Sequence, residues 1–198
     1  GETLTDLNDL ISAQSGWVLN SAEYNNNLGQ IIGRGLYEGQ DRAFLLTPVP
    51  ELSVFPFYNN SAWDNGDGAA NAADDYAIAP KLALRPGIKA TFANYTSYDK
   101  GINGLMIDVY DLPGTPTLND FLFRKGNDNK PYGNDLNDPA DDWPWAPDPI
   151  AIAVRPGAGW GGTDRVTLIW EDGVIRNCWL QVTVLATDVT GLAEDEVF

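Results

Sequence analysis

The sequence predicts an all-β protein: an antiparallel β-sandwich, Ig-like or jelly-roll-like, preceded by a short N-terminal helix and a β-hairpin unit. Three observations predict it. Short runs alternate apolar with polar residues, as where Leu105, Ile107 and Val109 oppose Met106, Asp108 and Tyr110. Turn signals separate these runs, among them "RPG" at 85–87 and 155–157, "LPGTP" at 112–116 and "EDG" at 171–173. The 198 residues are 43% apolar and 11% aromatic, enough for a core in one good-sized domain or two small ones.

Taken in order, residues 5–14 ("TDLNDLISAQ") read as a short helix. Thr5 is its N-cap, Leu7, Leu10 and Ile11 share a face, and Gly16 ends it. Strand-like runs follow at 17–22, 29–37 and 41–49, the last two joined by a Gly-containing hairpin loop, "EGQ". "TPVPE" stops the sheet pattern, because Pro cannot donate to a ladder, and places a boundary near residue 50. Residues 51–79 read as a loop-rich connection whose first part has strand character. From 80 to 198 the candidate strands are 89–95, 102–110, 120–125, 150–155, 165–170 and 178–187. The expected organisation is therefore 1–50, a linking 51–79, and a sandwich over 80–198. The two "RPG" copies have unlike flanks, so they count as a common turn and not as a repeat.

Two resemblances accompany this reading. "DLNDLI…SGWVLNSA…NNNLGQIIGRG…GQDRAFLLTPVPE" resembles the last unit of the extracellular HAF repeat, with Arg42-Ala43-Phe44 at the motif and a departure at its first residue. Such a unit cannot bury both faces alone, so it is expected to pack on the rest of the chain or on another copy. "NNSAWDNGDGAANAADDYAIAP", "FANYTSYDKGINGLMIDV", "VRPGAGWGGTDRVTLIWEDGVIRNCWLQVTVLAT" and "TGLAEDEVF" resemble a module of planctomycete-type secreted proteins that precedes dockerin-like segments. These resemblances imply a bacterial, extracellular or cell-surface setting. The module's pattern continues past Phe198, which implies a processed or truncated form.

Composition narrows the function. Twelve Lys and Arg stand against 28 Asp and Glu, a formal charge of −16 that argues against nucleic acid as a partner. No His is present, which removes Ser-His-Asp and Cys-His nucleophile systems and imidazole metal sites. Cys178, the only cysteine, is expected to be a buried, inert thiol. No apolar run approaches the ~20 residues of a membrane helix. No signal peptide is read in these residues, so a secreted protein is expected to be represented in its mature form or as an excised piece. The sequons at Asn59 and Asn94 are expected to go unused in a bacterium.

Three chemistries remain. Two carboxylates can hydrolyse a glycosidic bond, and Asp108 and Glu171 are the acids best placed to face a groove, but nothing pairs them. Structural calcium fits the acidic loops, with Asp64, Asp67, Asp74 and Asp75 ahead of Asp135 and Asp138. Neither loop fits the EF-hand template: from Asp64 the required Gly falls on Ala69, and from Asp128 the third position is Lys130. Trp143, Trp145 and Trp160, with Tyr132 nearby, lie in loops where rings can stack on sugars or cap the sandwich; Trp63, Trp170 and Trp179 read as packing residues.

The stretch 133–149 concentrates five Asp, four Pro and two Trp and is longer than the matching connection in the resembled module. It reads as an added contact surface. The expected function is a non-enzymatic extracellular structural or adhesive module that assembles with other copies or with cell-surface partners as a fibre or surface layer. Its assembly edges are placed at Phe44, Leu46, Val197 and Phe198. The alternative is a carbohydrate-binding module of a polysaccharide-processing protein, and a carboxylate-dependent glycosidase or lyase stands third.

Overall fold

The structure is a computed structural model that describes residues 6–11, 15–26, 30–47, 52–128 and 143–198. The chain divides into two compact units, Gly1–Val49 and Pro50–Phe198. Ten strands among the described residues form three antiparallel sheets, and the all-β sandwich is the architecture of the second unit.

In the first unit, β1 (Trp17–Asn25), β2 (Ile31–Tyr37) and β3 (Gln40–Leu46) form a meander in the order β1-β2-β3. A two-residue turn, Glu38-Gly39, joins β2 to β3 with both residues at positive φ (49° and 78°), as the twist of a tight hairpin requires. The helix expected over 5–14 is one 3₁₀ turn, Leu7–Leu10, among the described residues, and Ile11 is already extended. Local polar bonds explain this. Asp6 accepts the Asn8 N–H (2.9 Å), while the Asn8 amide group bonds both the N–H (2.7 Å) and the carbonyl (3.0 Å) of Leu19 on β1. Side-chain bonds of this kind compete with helix continuation, and so short a segment lacks the length to propagate.

In the second unit, a four-stranded sheet runs in the order β4-β5-β8-β7, built from β4 (Leu52–Pro56), β5 (Gly104–Val109), β7 (Ala151–Arg155) and β8 (Asp164–Ile169). A three-stranded sheet runs β10-β9-β6, built from β6 (Phe121–Gly126), β9 (Trp179–Val184) and β10 (Glu196–Val197). Leu105, Ile107 and Val109 from one sheet meet Phe121, Phe123, Val182 and Val184 from the other in a shared core. Residues 51–79, read from sequence as a connection, supply β4 to the sheet. They also cover its second face, where Phe57 and Ala77 pack on Met106 and Ile169.

One predicted strand is absent. Residues 89–95 instead form a 3₁₀ turn, Phe92–Asn94, because Thr91 and Asn94 make a reciprocal capping box. The Asn94 amide also donates to the Leu82 carbonyl (3.0 Å), so polar side chains satisfy backbone groups that a ladder would have used.

Candidate functional site

At one end of the sandwich two connections enclose a cleft of about 480 Å³. One wall is 94–102, leading from the Thr91-capped turn into β5. The other is 175–179, leading from β8 into β9, with Asn127 at the end of β6 beside it. Hydrogen bonds fix both walls. Tyr98 donates its hydroxyl to the Asn59 carbonyl (2.9 Å), and its ring lies 4.7 Å from Tyr58. Ile102 N–H donates to the Ile175 carbonyl (2.9 Å), and the Asn127 amide donates to the Asn177 carbonyl. Gly101 makes the close approach possible: its φ is 78°, and a Cβ there would stand 2.1 Å from the Ile175 carbonyl oxygen. Asn177 also sits in the left-handed region (φ 54°). Behind the first wall, Lys100 pairs with Asp172 (3.0 Å), which accepts from the buried Asn103 amide (2.8 Å).

The lining has a definite chemistry. The Tyr95 and Trp179 rings face each other at 5.0 Å between centroids, tilted by 51°. Around them stand the amides of Asn94, Asn127 and Asn177, the hydroxyls of Thr96 and Ser97, Arg176 and Asp99. Asp99 is the one carboxylate among these lining residues. Burial pushes the Cys178 thiol above its ordinary range, so it stays protonated near neutrality and is a poor nucleophile. Burial likewise raises the Tyr98 phenol. Apolar ring faces beside forked amide groups suit a neutral, hydroxyl-rich ligand.

A second polar cluster lies on the outer face of the four-stranded sheet. Arg155 on β7 and Arg165 on β8 stand directly opposite each other, an unfavourable pairing relieved by Asp75. Asp75 accepts from Arg165 Nη1 (2.9 Å) and from Arg155 Nη1 (3.0 Å) and Nη2 (2.5 Å). Burial opposes the Asp75 charge, but these bonds overcome it and hold the carboxyl below its usual range. Arg165 also forks onto buried Asp108 through Nε (2.6 Å) and Nη2 (2.7 Å). Asp108 is thereby committed to an ion pair and to the Trp160 N–H (2.8 Å).

The residues singled out in the sequence fall in separate places. Trp143 is buried; its indole donates to Asp128 (2.6 Å) and its carbonyl accepts from Arg124 (2.7 Å). Trp145 is 60% exposed and lies against the Arg124 guanidinium, 4.0 Å from the ring centroid. The segment 144–146 bonds the free edge of β6, through Lys125 N–H to Pro144 and Ala146 N–H to Phe123. Trp160, 82% exposed, sits in the β7–β8 connection, and no described contact joins it to the other two. Tyr132, Asp135 and Asp138 lie outside the described residues, as does most of the stretch 133–149.

Asp64, Asp67 and Asp74 share one loop, whereas Asp75 is taken by the two arginines. Burial pushes the Asp74 carboxyl up to about 6, with the Asn71 N–H pulling it back and the Asp64 charge adding to the rise. No three carboxylates converge among the described residues. Phe44 and Leu46 do lie on an edge strand, β3, and Val197 on another, β10, but the Phe44 and Phe198 side chains are buried. The sequence reading did not single out Tyr95 and read Trp179 as a packing residue; Trp179 is half-buried and packs against Tyr95. The available signal was "NYTSYD", rings interleaved with hydroxyl and amide groups just ahead of β5.

Fold and site together define a two-unit, all-β chain with one polar, ring-lined cleft described on its sandwich. No family model matches it, and no similar curated protein or solved structure was found in the comparisons.

Proposed function

We propose that the chain is a non-catalytic extracellular binding module that takes a neutral glycan in the Tyr95–Trp179 cleft. The observation that carries the reading is the tilted ring pair in a cleft whose lining also holds Thr96, Ser97 and Asn177. Pyranose rings offer apolar C–H faces to aromatics and hydroxyls to amides, and this lining supplies both. Hydrolysis by a carboxylate mechanism needs two acids across the scissile bond, and Asp99 stands alone among the lining residues. The extracellular setting rests on the sequence resemblances.

Electrophoresis through gels cast with soluble polysaccharides tests this. Retardation by at least one neutral polysaccharide is expected, lost in Tyr95→Ala and Trp179→Ala and kept in Trp145→Ala and Trp160→Ala. Migration unaffected by a broad panel, or retardation that depends on Trp145, contradicts it.

A second reading, assembly with other copies, is favoured by a separate feature. In the first unit β1 and β3 each have β2 as their strand neighbour, and Val18, Ile32 and Leu45 are exposed on one face of the sheet. An apolar face flanked by open edges suits pairing with a second copy. Light scattering at rising protein concentration would show oligomers; a monodisperse monomer throughout excludes this reading.

A further inference from the structure

We propose that the loop 59–77 binds a calcium ion between Asp64 Oδ2 and Asp74 Oδ1, with Asn59 Oδ1 as a neutral third ligand. The three side chains are 0%, 0% and 3% exposed, and each of these oxygens is buried without a hydrogen-bond partner. A native fold rarely leaves one such atom unsatisfied, and here three occur in one short segment. The remaining oxygens of the two acids are already used. Asp64 Oδ1 accepts from the N–H groups of Ser61 (2.8 Å) and Gly66 (3.1 Å), and Asp74 Oδ2 accepts from Asn71 N–H (2.8 Å). Each carboxylate is thus held by one oxygen and offers the other.

The loop's own bonds tie together the segments that carry the three. Tyr58 N–H bonds the Ala77 carbonyl, joining the chain just before Asn59 to the end of the turn that holds Asp74. Asn60 N–H bonds the Asp67 carbonyl, and the Asp67 side chain accepts from the Asn71 amide (2.5 Å), tying the Asp64 end to the Asp74 end. Asp75 then anchors the turn to β7 and β8 through Arg155 and Arg165. Among the described residues those guanidinium groups form their ion pairs with Asp75 and Asp108, not with Asp64 or Asp74.

Two carboxylates stripped of water are relieved by a proton or by a cation between them, and oxygen-only ligands select a hard cation. Calcium accepts an irregular set of carboxylate and amide oxygens and completes its shell with backbone oxygens or waters, whereas magnesium demands near-ideal octahedral geometry at shorter distances. With two charged ligands the affinity belongs in the range of extracellular modules, Kd on the order of 10⁻⁴–10⁻³ M.

Trp63, adjacent to Asp64 and tilted 42° against the Tyr58 ring at 6.0 Å, supplies a built-in reporter. The full chain, freed of metal by chelator and dialysis, is titrated with terbium and then with calcium. Tryptophan-sensitised terbium luminescence is expected, displaced by calcium, together with a rise of about 5 °C in the second unit's melting midpoint at ~10 mM calcium. Asp74→Asn and Asp64→Asn should abolish both responses. Because Asp74→Asn removes a buried charge with little change of shape, it should melt above the metal-free parent, which separates loss of the site from loss of the fold. Trp63→Phe should lose the luminescence and keep the calcium-induced shift. Absence of both responses in the parent, or their survival in the Asp64→Asn/Asp74→Asn double variant, overturns the proposal.

Discussion

The Tyr95 and Trp179 rings meet at 5.0 Å with a 51° tilt, although one follows a 3₁₀ turn and the other begins β9. Both rings line the cleft, where a ligand can reach them. Tyr95 is half exposed, so Tyr95→Ala should leave the fold intact and weaken glycan binding about tenfold, ~1.4 kcal/mol. Calorimetric titration with the melting midpoint as control checks this.

Gly101 couples the cleft to the backbone. A side chain there meets the Ile175 carbonyl and holds a strained φ, so Gly101→Ala should cost about 2 kcal/mol or more. It should also push 175–179 outward and reduce binding beyond what the stability loss explains. Denaturant titration beside a binding curve separates the two effects.

The Arg165–Asp108 fork is a structural tie, not a catalytic pair. Asp108→Ala leaves a guanidinium buried with half its partners, and should destabilise the second unit by about 3–5 kcal/mol. Glycan affinity of the molecules that remain folded should not change, because the pair lies outside the cleft lining.

Asp120 gives a pH signature. The Thr117 N–H (2.8 Å) holds its carboxyl below the ordinary 3.8, burial opposes this, and the Thr187 and Thr117 hydroxyls assist. A depressed folded-state pKa means stability present above about 3.8 and lost as pH falls through the folded value. Asp120→Asn should therefore flatten the acid limb of the stability profile below about pH 4, measured by urea unfolding at several pH values.

The strands were legible where one face alone decides them. Leu180, Val182 and Val184 face the shared core as their alternation says, and β6, β7 and β8 fall within a residue or two of their predicted runs. Alternation could not show that the polar side of β5 is also buried, because that depends on Phe57 and Ala77 covering Met106 and on Arg165 and the Trp160 N–H closing over Asp108. Residues 89–95 have strand composition, yet Thr91 and Asn94 bond their own backbone and win locally. The cleft was hidden for another reason. Tyr95 and Trp179 are distant in sequence, and only the pairing of β9 with β6, together with the approach of Gly101 to Ile175, brings them together. Trp143 and Trp145, on either side of Pro144, have different fates, one buried and one exposed against Arg124.

The most direct test of glycan binding in the cleft follows the seven tryptophan indole N–H signals by nuclear magnetic resonance during titration with a retarding polysaccharide. Binding there predicts that the Trp179 indole and the backbone signals of Tyr95, Asn127 and Asn177 shift together and saturate, while Trp145 and Trp160 stay still. Shifts confined to Trp145, Trp160 or the first unit, with Trp179 unmoved, would contradict it.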